Sequence, residues 1–317
     1  EHSLDYAFNH TRVPIDFNEW YFIVATYNPG VQEDTSYTNF MNANDYAPDG
    51  ITALKNSIAL FSFLLLFMFL DIPLWYGDFE YSDYFKIFIS GILGMGIGDI
   101  LFIYALSQIG ANRIAIMNCF EPAVIYCFSI LFLGTILTLQ QLTGFAIVII
   151  SLLIISYEND LREIDPLIKK RGMIIQIIAI LLSSFGIVLI KPVLEKTTGS
   201  ISMQLWVTAF RLFPGFIVAW IVFVLQKNKL LILQPLLKSK MILKIIVSSG
   251  LGTFIALSFW IIGYANIEKP PVASIIGQTS VIFIIILSYI FLKEKISKVR
   301  VMSILFAICG VLLITIK

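Results

Sequence analysis

The chain has 317 residues, of which 58% are hydrophobic and 14% are charged, and its formal net charge is +1. Soluble proteins carry about 25% charged residues, so this composition excludes a soluble globular fold and favours a fold surrounded by lipid. The near-zero net charge gives no electrostatic reason to expect a nucleic acid or an acidic partner. The three cysteines fall in apolar stretches and predict neither a disulfide framework nor a metal site, and no cofactor is expected.

The first 50 residues differ from the rest of the chain because they contain eight acidic residues and a single arginine. Their one apolar run, Trp20–Ala25, is far shorter than the roughly 20 residues that a membrane span requires. We therefore predict that residues 1–50 form a polar, weakly ordered extension without a membrane span.

From residue 51 onward, apolar segments of helix length follow one another. Each is apolar on every side, whereas strands of a membrane barrel would alternate apolar and polar residues. The sequence predicts an all-α polytopic membrane protein with nine transmembrane helices. The predicted spans are Thr52–Trp75, Phe85–Gln108, Ile114–Leu133, Gln141–Tyr157, Met173–Leu194, Gln204–Leu225, Ile245–Ile267, Pro271–Leu292 and Val299–Ile316.

The two halves of this region repeat one another. The residues FKIFIS at 85–90 return as LKIIVS at 243–248, 158 positions later, and Tyr104-Ala105 returns as Tyr264-Ala265 at an offset of 160. We predict a first repeat of four helices at 51–157, a basic connecting loop at 158–171, and a second repeat of five helices at 172–317. Because five spans separate corresponding helices, the repeat must be inverted in the membrane. The helix that would open the first repeat has no counterpart in residues 1–50, so it is absent or replaced.

The segment SGILGMGIGDILFIYALSQIGANRIAIMNCFEPAVIYCFSILFLG at 90–134, followed by TLQQLTGFAIVIISLLI, resembles the EamA type of drug/metabolite transporter. The resemblance covers residues 51–317. It implies ten helices in two inverted repeats of five, and proton-coupled or exchange transport of a small molecule. It also implies an integral protein of a prokaryotic plasma (inner) membrane, with the lipid bilayer around it and a homodimer as a possible assembly. The matching features are Gly98-Asp99, Tyr104-Ala105, Gly110, Glu121-Pro122 and Gly144, then Tyr264-Ala265, Phe291-Leu292-Lys293-Glu294 and Gly310.

Three features depart from the family pattern. The first helix is unrecognisable, Thr135 stands where glutamate is usual, and Ser280-Val281 replaces a proline of the second copy. Charge gives a further conflict, because fourteen Lys and Arg residues fall on one set of connections and five on the other. The positive-inside rule places the basic set in the cytoplasm and the carboxyl terminus outside, whereas the family is usually described with both termini in the cytoplasm.

Charged residues within the predicted spans are costly in lipid and therefore suggest a function. Asp99 and Glu121 are predicted either to carry a coupling proton or to make helix contacts. Lys55 and Lys191 are interpreted as snorkelling toward the headgroups. Glycines at 91, 94, 96 and 98 predict close approach of a neighbouring helix, with gating as a second possibility.

Arg211 lies too deep in its predicted span for easy snorkelling. Its guanidinium could bind a substrate carboxylate through two parallel hydrogen bonds, or it could form a structural ion pair with Asp99 or Glu121. Aromatic and amide side chains in the spans could line the same cavity. The predicted substrate-binding residues are Arg211, Tyr104, Asn118, Trp206, Trp260, Tyr264 and Gln278.

These residues favour a secondary transporter that moves a small metabolite or drug-like molecule by alternating access. One alternative is a non-transporting or defective membrane scaffold that lacks its first helix. A less favoured alternative is an intramembrane aspartyl protease, since Gly96-Ile97-Gly98-Asp99 spells GxGD and Asp71 could supply a second carboxyl group. That reading leaves the repeat unexplained, and we expect no enzymatic activity.

Overall fold

The computed structural model of the chain describes residues 47–156, 165–226, 239–280, 283 and 298–315. The prediction for residues 1–46 lies outside this part of the chain. Every regular element in the described residues is helical. In chain order the elements are α1 (Ala47–Phe69), α2 (Tyr81–Ser90), a first π-helical segment (Gly91–Gly98), α3 (Asp99–Asn118), α4 (Glu121–Leu133), α5 (Leu139–Ser156), α6 (Pro166–Lys196), α7 (Ile201–Leu225), α8 (Ser239–Ser248), a second π-helical segment (Ser249–Ala256), α9 (Leu257–Asn266), α10 (Pro270–Gln278) and α11 (Lys298–Thr315).

The membrane-spanning character of the chain follows from these helices. Within the described residues, six helical segments are long and apolar enough to cross a bilayer, namely Gly50–Phe69, Tyr81–Gly110, Arg113–Leu133, Pro166–Lys196, Ile201–Leu225 and Ile242–Asn266. Two shorter apolar helices are Leu139–Ile154 and Val301–Thr315. Large apolar side chains such as Phe61, Met68 and Phe259 face outward, as a lipid-facing surface requires. The protein is thus an integral membrane protein whose described part contains only helices, and the total of nine spans stays a prediction.

Helix α1 is displaced toward the amino terminus relative to its predicted span. It begins at Ala47, inside the segment predicted as an extension, and ends at Phe69 instead of Trp75. Asp71 has a φ of 50°, a left-handed conformation that a helix does not continue through, and Pro73 follows it. Residues 70–80 therefore form a connection between α1 and α2.

Two π-helical segments interrupt the helical runs α2–α3 and α8–α9. They begin at Gly91 and Ser249, which are separated by the same 158 residues as FKIFIS and LKIIVS. π-Helical turns are rare and occur often at functional sites. Their presence at corresponding positions supports the repeat inferred from the sequence.

Contacts between the halves are reciprocal. The Ser249 hydroxyl donates to the Lys55 carbonyl at 2.5 Å. At the corresponding position of the first half, Gly91 lies so close to α7 that an added Cβ would stand 2.1 Å from the Arg211 carbonyl oxygen. A contact that recurs with its partners exchanged is what a two-fold axis between two copies produces. The inverted orientation of the copies stays a prediction.

Helices α5 and α11 meet through a glycine of each helix. A Cβ added to Gly144 would stand 2.6 Å from the Gly310 carbonyl oxygen, and one added to Gly310 would stand 2.9 Å from the Gly144 carbonyl oxygen. Only glycine permits this approach of two backbones, which is a usual way of packing helices in lipid. The crossing joins the last helix of each half.

The connections 70–80, 197–200 and 267–269 and the adjoining helix ends lie at one end of the bundle. We call this end the loop face. The Lys196 ammonium pairs with the Asp83 carboxylate at 2.7 Å, and the Asp83 side chain is only 1% exposed. The Trp206 indole donates to the Leu74 carbonyl at 3.1 Å. These contacts tie α2, α6 and α7 and the connection after α1 to one another.

Candidate substrate site

The Arg211 guanidinium lies in the middle of α7 and is buried, with 1% of the residue exposed. Its Nε donates to the Ser90 hydroxyl at 2.8 Å, and that hydroxyl donates in turn to the Gly186 carbonyl at 2.7 Å. Ser90 ends α2, directly before the first π-helical segment, and Gly186 lies in α6. Three elements thus fix the direction in which the guanidinium points.

The glycines of the first π-helical segment provide the space for this arginine. A Cβ on Gly94 would stand 2.7 Å from the Arg211 Nη2 atom, and one on Gly96 would stand 2.9 Å from the Val218 Cβ. Across the same contact, a Cβ on Gly215 would stand 2.6 Å from the Met95 Cβ. The close approach predicted from the glycine pattern is therefore present, with α7 as the partner of Gly91, Gly94 and Gly96 and α6 as the partner of Gly98.

Aromatic side chains of α9 border the guanidinium. Its Cζ lies 5.5 Å from the centre of the Trp260 ring, which is the geometry of a cation–π contact. The Trp260 and Tyr264 rings are 4.6 Å apart, and the Tyr264 side chain hydrogen bonds to Ser274 of α10. Of the predicted substrate residues, Arg211, Trp260 and Tyr264 therefore lie together.

The Nη1 atom of Arg211 is buried and has no hydrogen-bond partner among the described residues. A guanidinium offers five N–H donors, and a carboxylate can accept two of them in parallel. The arrangement therefore has room in its hydrogen bonding for an anionic group that the described residues do not supply.

Asp99, at the start of α3, accepts a hydrogen bond from the Lys55 ammonium at 2.7 Å, and the two side chains are 24% and 23% exposed. The ion pair of Asp99 among the described residues is thus with Lys55 and not with Arg211. Lys55, interpreted from the sequence as snorkelling, thus has a carboxylate partner within the protein. Asp71, which the protease alternative requires as the second carboxyl group beside Asp99, lies in the connection after α1 and is exposed.

Glu121 opens α4 directly after the break at Cys119-Phe120 and is followed by Pro122. The positive end of a helix dipole favours a carboxylate at such a position. Glu121 also lies within electrostatic range of the Tyr264 hydroxyl, so it belongs to the surroundings of the α9 aromatics. Its predicted role in proton coupling stays a prediction.

Lys191 has a structural environment. Its ammonium donates to the carbonyls of Tyr264 at 3.0 Å and Ile267 at 2.7 Å, at the carboxyl end of α9, and lies 3.5 Å from the Glu195 carboxylate. A cation at a helix carboxyl end is stabilised by the helix dipole. This residue, which is 1% exposed, anchors α6 to α9 and does not snorkel.

Trp206 and Tyr104 lie in other surroundings. Trp206 stacks between Phe79 and Phe210, with ring centres 5.3 and 4.7 Å away, at the loop face. Tyr104 lies under the Arg171 guanidinium, whose Cζ is 5.6 Å from the ring centre. Their contacts among the described residues do not include Arg211, and their predicted role in substrate binding stays a prediction.

The two predicted amides, Asn118 and Gln278, meet a third that the sequence did not single out. Gln176 of α6 donates from Nε2 to the Asn118 Oδ1 at 2.7 Å, and Gln278 donates to the Asn118 carbonyl at 3.5 Å. A glutamine inside the apolar run MIIQIIAILL was the available signal for Gln176. Ser90 gave no such signal, because serine is common in apolar helices.

A solved structure described only as "Crystal structure of protein" has the same fold. Its sequence is 13% identical to this one, and the two structures superpose with a TM-score of 0.67. The superposition covers 93% of this chain and 94% of the other chain. No curated protein matches the chain. The model of the EamA-like transporter family matches residues 37–157 and again 170–316. Since these two matches span most of the chain, the protein belongs to the EamA-like transporter family.

Proposed function

We propose that the protein is a secondary transporter that moves a small anionic or zwitterionic metabolite by alternating access, with Arg211 as the residue that binds the anionic group. The observation that carries this proposal is the buried guanidinium whose Nη1 has no partner among the described residues. Family membership supports the transporter class, and the position of Arg211 between the two halves supports the location of the site.

The buried Arg211 guanidinium has no ion pair among the described residues. Burying an ion without an adequate partner costs several kcal/mol. Among the described residues, the Arg211 guanidinium has a neutral hydrogen bond to Ser90 and a cation–π contact with Trp260. Asp99, a carboxylate that acts on Arg211 electrostatically, is already bound to Lys55. A substrate carboxylate would complete the site and would gain two charge-assisted hydrogen bonds.

Transport in liposomes tests the site. A panel of amino acids, N-acetylated amino acids and dicarboxylates identifies the substrates that the wild-type protein exchanges. Arg211→Lys should weaken exchange markedly while folding is retained, because a point charge cannot reproduce the planar fork of a guanidinium, and Arg211→Ala should abolish it. Arg171→Ala, which removes an arginine that contacts Tyr104, is the matched control. Unchanged exchange by Arg211→Ala would refute the anion site.

Coupling is assigned to Glu121 in preference to Asp99. The charge of Asp99 is neutralised by the Lys55 ammonium at 2.7 Å, whereas no ion pair of Glu121 occurs in the described part of the chain. Glu121→Gln keeps the shape of the side chain but cannot take up a proton. We expect this variant to lose accumulation driven by a proton gradient and to retain exchange of substrate for substrate. Retained accumulation would rule out Glu121 as the coupling residue.

A further inference from the structure

Three amides from three helices meet inside the bundle, apart from the Arg211 site. Gln176 is 1% exposed, and while its Nε2 donates to Asn118, its Oε1 has no partner among the described residues. Turning both amides over exchanges donor and acceptor but still leaves one polar atom of Gln176 without a partner. A buried polar group without a partner costs about 1–3 kcal/mol, which a structural role does not explain.

The position of this cluster is the second observation. Asn118 and Gln278 are separated by 160 residues, the offset that relates Tyr104-Ala105 to Tyr264-Ala265. They are therefore corresponding positions of the two halves, and they hydrogen bond to each other. Corresponding positions can touch only near the axis that relates the copies. In transporters built from repeats, substrates bind at this boundary.

We propose that Asn118, Gln176 and Gln278 form a second subsite, which binds a neutral hydroxyl or carboxamide group of the substrate. This inference rests on the proposed anion site at Arg211. A hydroxyl or a carboxamide both donates and accepts, so it can satisfy the free atom of Gln176 whichever way that amide is turned. A charged group would find only neutral amides in the cluster and would remain uncompensated.

The separation of the two subsites sets the length of the ligand. Gly186 borders the guanidinium, since an added Cβ would stand 3.6 Å from the Arg211 Nη2. Gln176 precedes Gly186 by ten residues of α6, which corresponds to about 15 Å along a helix. The side chains shorten this gap, so a molecule that reaches both subsites is about 10 Å long or longer, with an acid group at one end and a neutral polar group at the other.

N-acetylglycine, N-acetyldiglycine and N-acetyltriglycine provide probes of this geometry. Each has one carboxylate and no cation, and each added residue moves the acetamide about 3.5 Å further from the carboxylate. Binding to the purified full-length protein in nanodiscs is measured by titration and by the rise in unfolding temperature. We expect N-acetyltriglycine to bind about threefold to tenfold more tightly than N-acetylglycine, the gain that one additional buried hydrogen bond provides.

Gln176→Leu should remove this gain and leave N-acetylglycine binding unchanged, while Gln108→Leu, the same substitution on the neighbouring helix α3, should keep the gain. Gln278→Leu, at a less buried position, should reduce the gain and provides a second test if Gln176→Leu does not fold. Equal affinities of the three probes for the wild-type protein would overturn the subsite, as would an undiminished gain in Gln176→Leu. Failure of the anion site is a distinct result: N-acetylglycine would then bind Arg211→Ala as tightly as the wild type, or would bind neither protein.

Discussion

Adding a single methyl group at Gly94 should weaken anion binding and leave folding unchanged. In Gly94→Ala the new Cβ would stand 2.7 Å from the Arg211 Nη2, while the next atom of that side chain is 3.7 Å away. The contacted atom is the end of a flexible side chain and not backbone, so the guanidinium can move and the helices can keep their places. The guanidinium must then leave the direction set by the Ser90 hydroxyl.

The size of the effect follows from the distances. Ordinary van der Waals contact begins at 3.4 Å, so Nη2 must move by about 0.7 Å. A hydrogen bond to a charged group contributes about 1.5–3 kcal/mol, and misalignment of one of the two bonds to a carboxylate should cost at least about 1.5 kcal/mol. That corresponds to about tenfold weaker binding of a carboxylate such as N-acetylglycine. Stability should change little, because alanine in a helix is favoured over glycine by about 0.5–1 kcal/mol.

The matched control is Gly252→Ala. Gly252 occupies the corresponding position of the second π-helical segment, 158 residues later, and nothing lies within 4 Å of an added Cβ there. The assay is calorimetric titration of N-acetylglycine into both variants, with their unfolding temperatures recorded. We expect tenfold weaker binding in Gly94→Ala alone. Wild-type affinity in Gly94→Ala would show that the guanidinium position does not govern anion binding.

Three further substitutions test the packing and the ion pairs. Gly144→Val should lower the unfolding temperature strongly, because the added Cβ would stand 2.6 Å from a backbone carbonyl of α11; an unchanged unfolding temperature would contradict the described crossing. Asp83→Asn removes the counter-charge of Lys196 and should increase hydrogen exchange of residues 70–80, whereas unaltered exchange would show that the ion pair does not hold the loop face. Lys55→Met leaves the Asp99 carboxylate unpaired and should lower the unfolding temperature more than the double variant Lys55→Met with Asp99→Asn. Equal decreases in unfolding temperature would mean that the Lys55–Asp99 ion pair does not contribute to stability.

Helix positions followed from the sequence where the apolar runs had clear ends. The second predicted span, Phe85–Gln108, lies within the helical run Tyr81–Gly110, and the turn placed after Gln108 contains Gly110 at a φ of 79°. The first span was placed too far along the chain. Its predicted end is Trp75, but Trp75 lies in the connection after α1 and stacks on Tyr84 with ring centres 4.3 Å apart.

Side-chain partners were harder to predict than helices. In a helix that is apolar on every side, the sequence pattern does not indicate which face meets which neighbour. Hence the sequence allows Asp99 as a partner of Arg211, whereas its described partner is Lys55, and no pattern in the sequence points to Ser90 as a partner of Arg211. The π-helical segments had no signal of their own either, because their hydrogen-bond shift depends on tertiary packing.

The unequal packing of the two π-helical segments has a consequence for the transport cycle. In the first segment, Gly91, Gly94 and Gly96 pack closely against α7, whereas Gly250 and Gly252 of the second segment face open space. If the two halves exchange conformations when access switches from one side to the other, the present arrangement is one end state, and the second segment closes in the other. Gly252→Ala would then bind N-acetylglycine normally yet transport slowly, because the added methyl group obstructs only the state in which that segment is packed. Normal transport by this variant would show that the second segment stays open throughout the cycle.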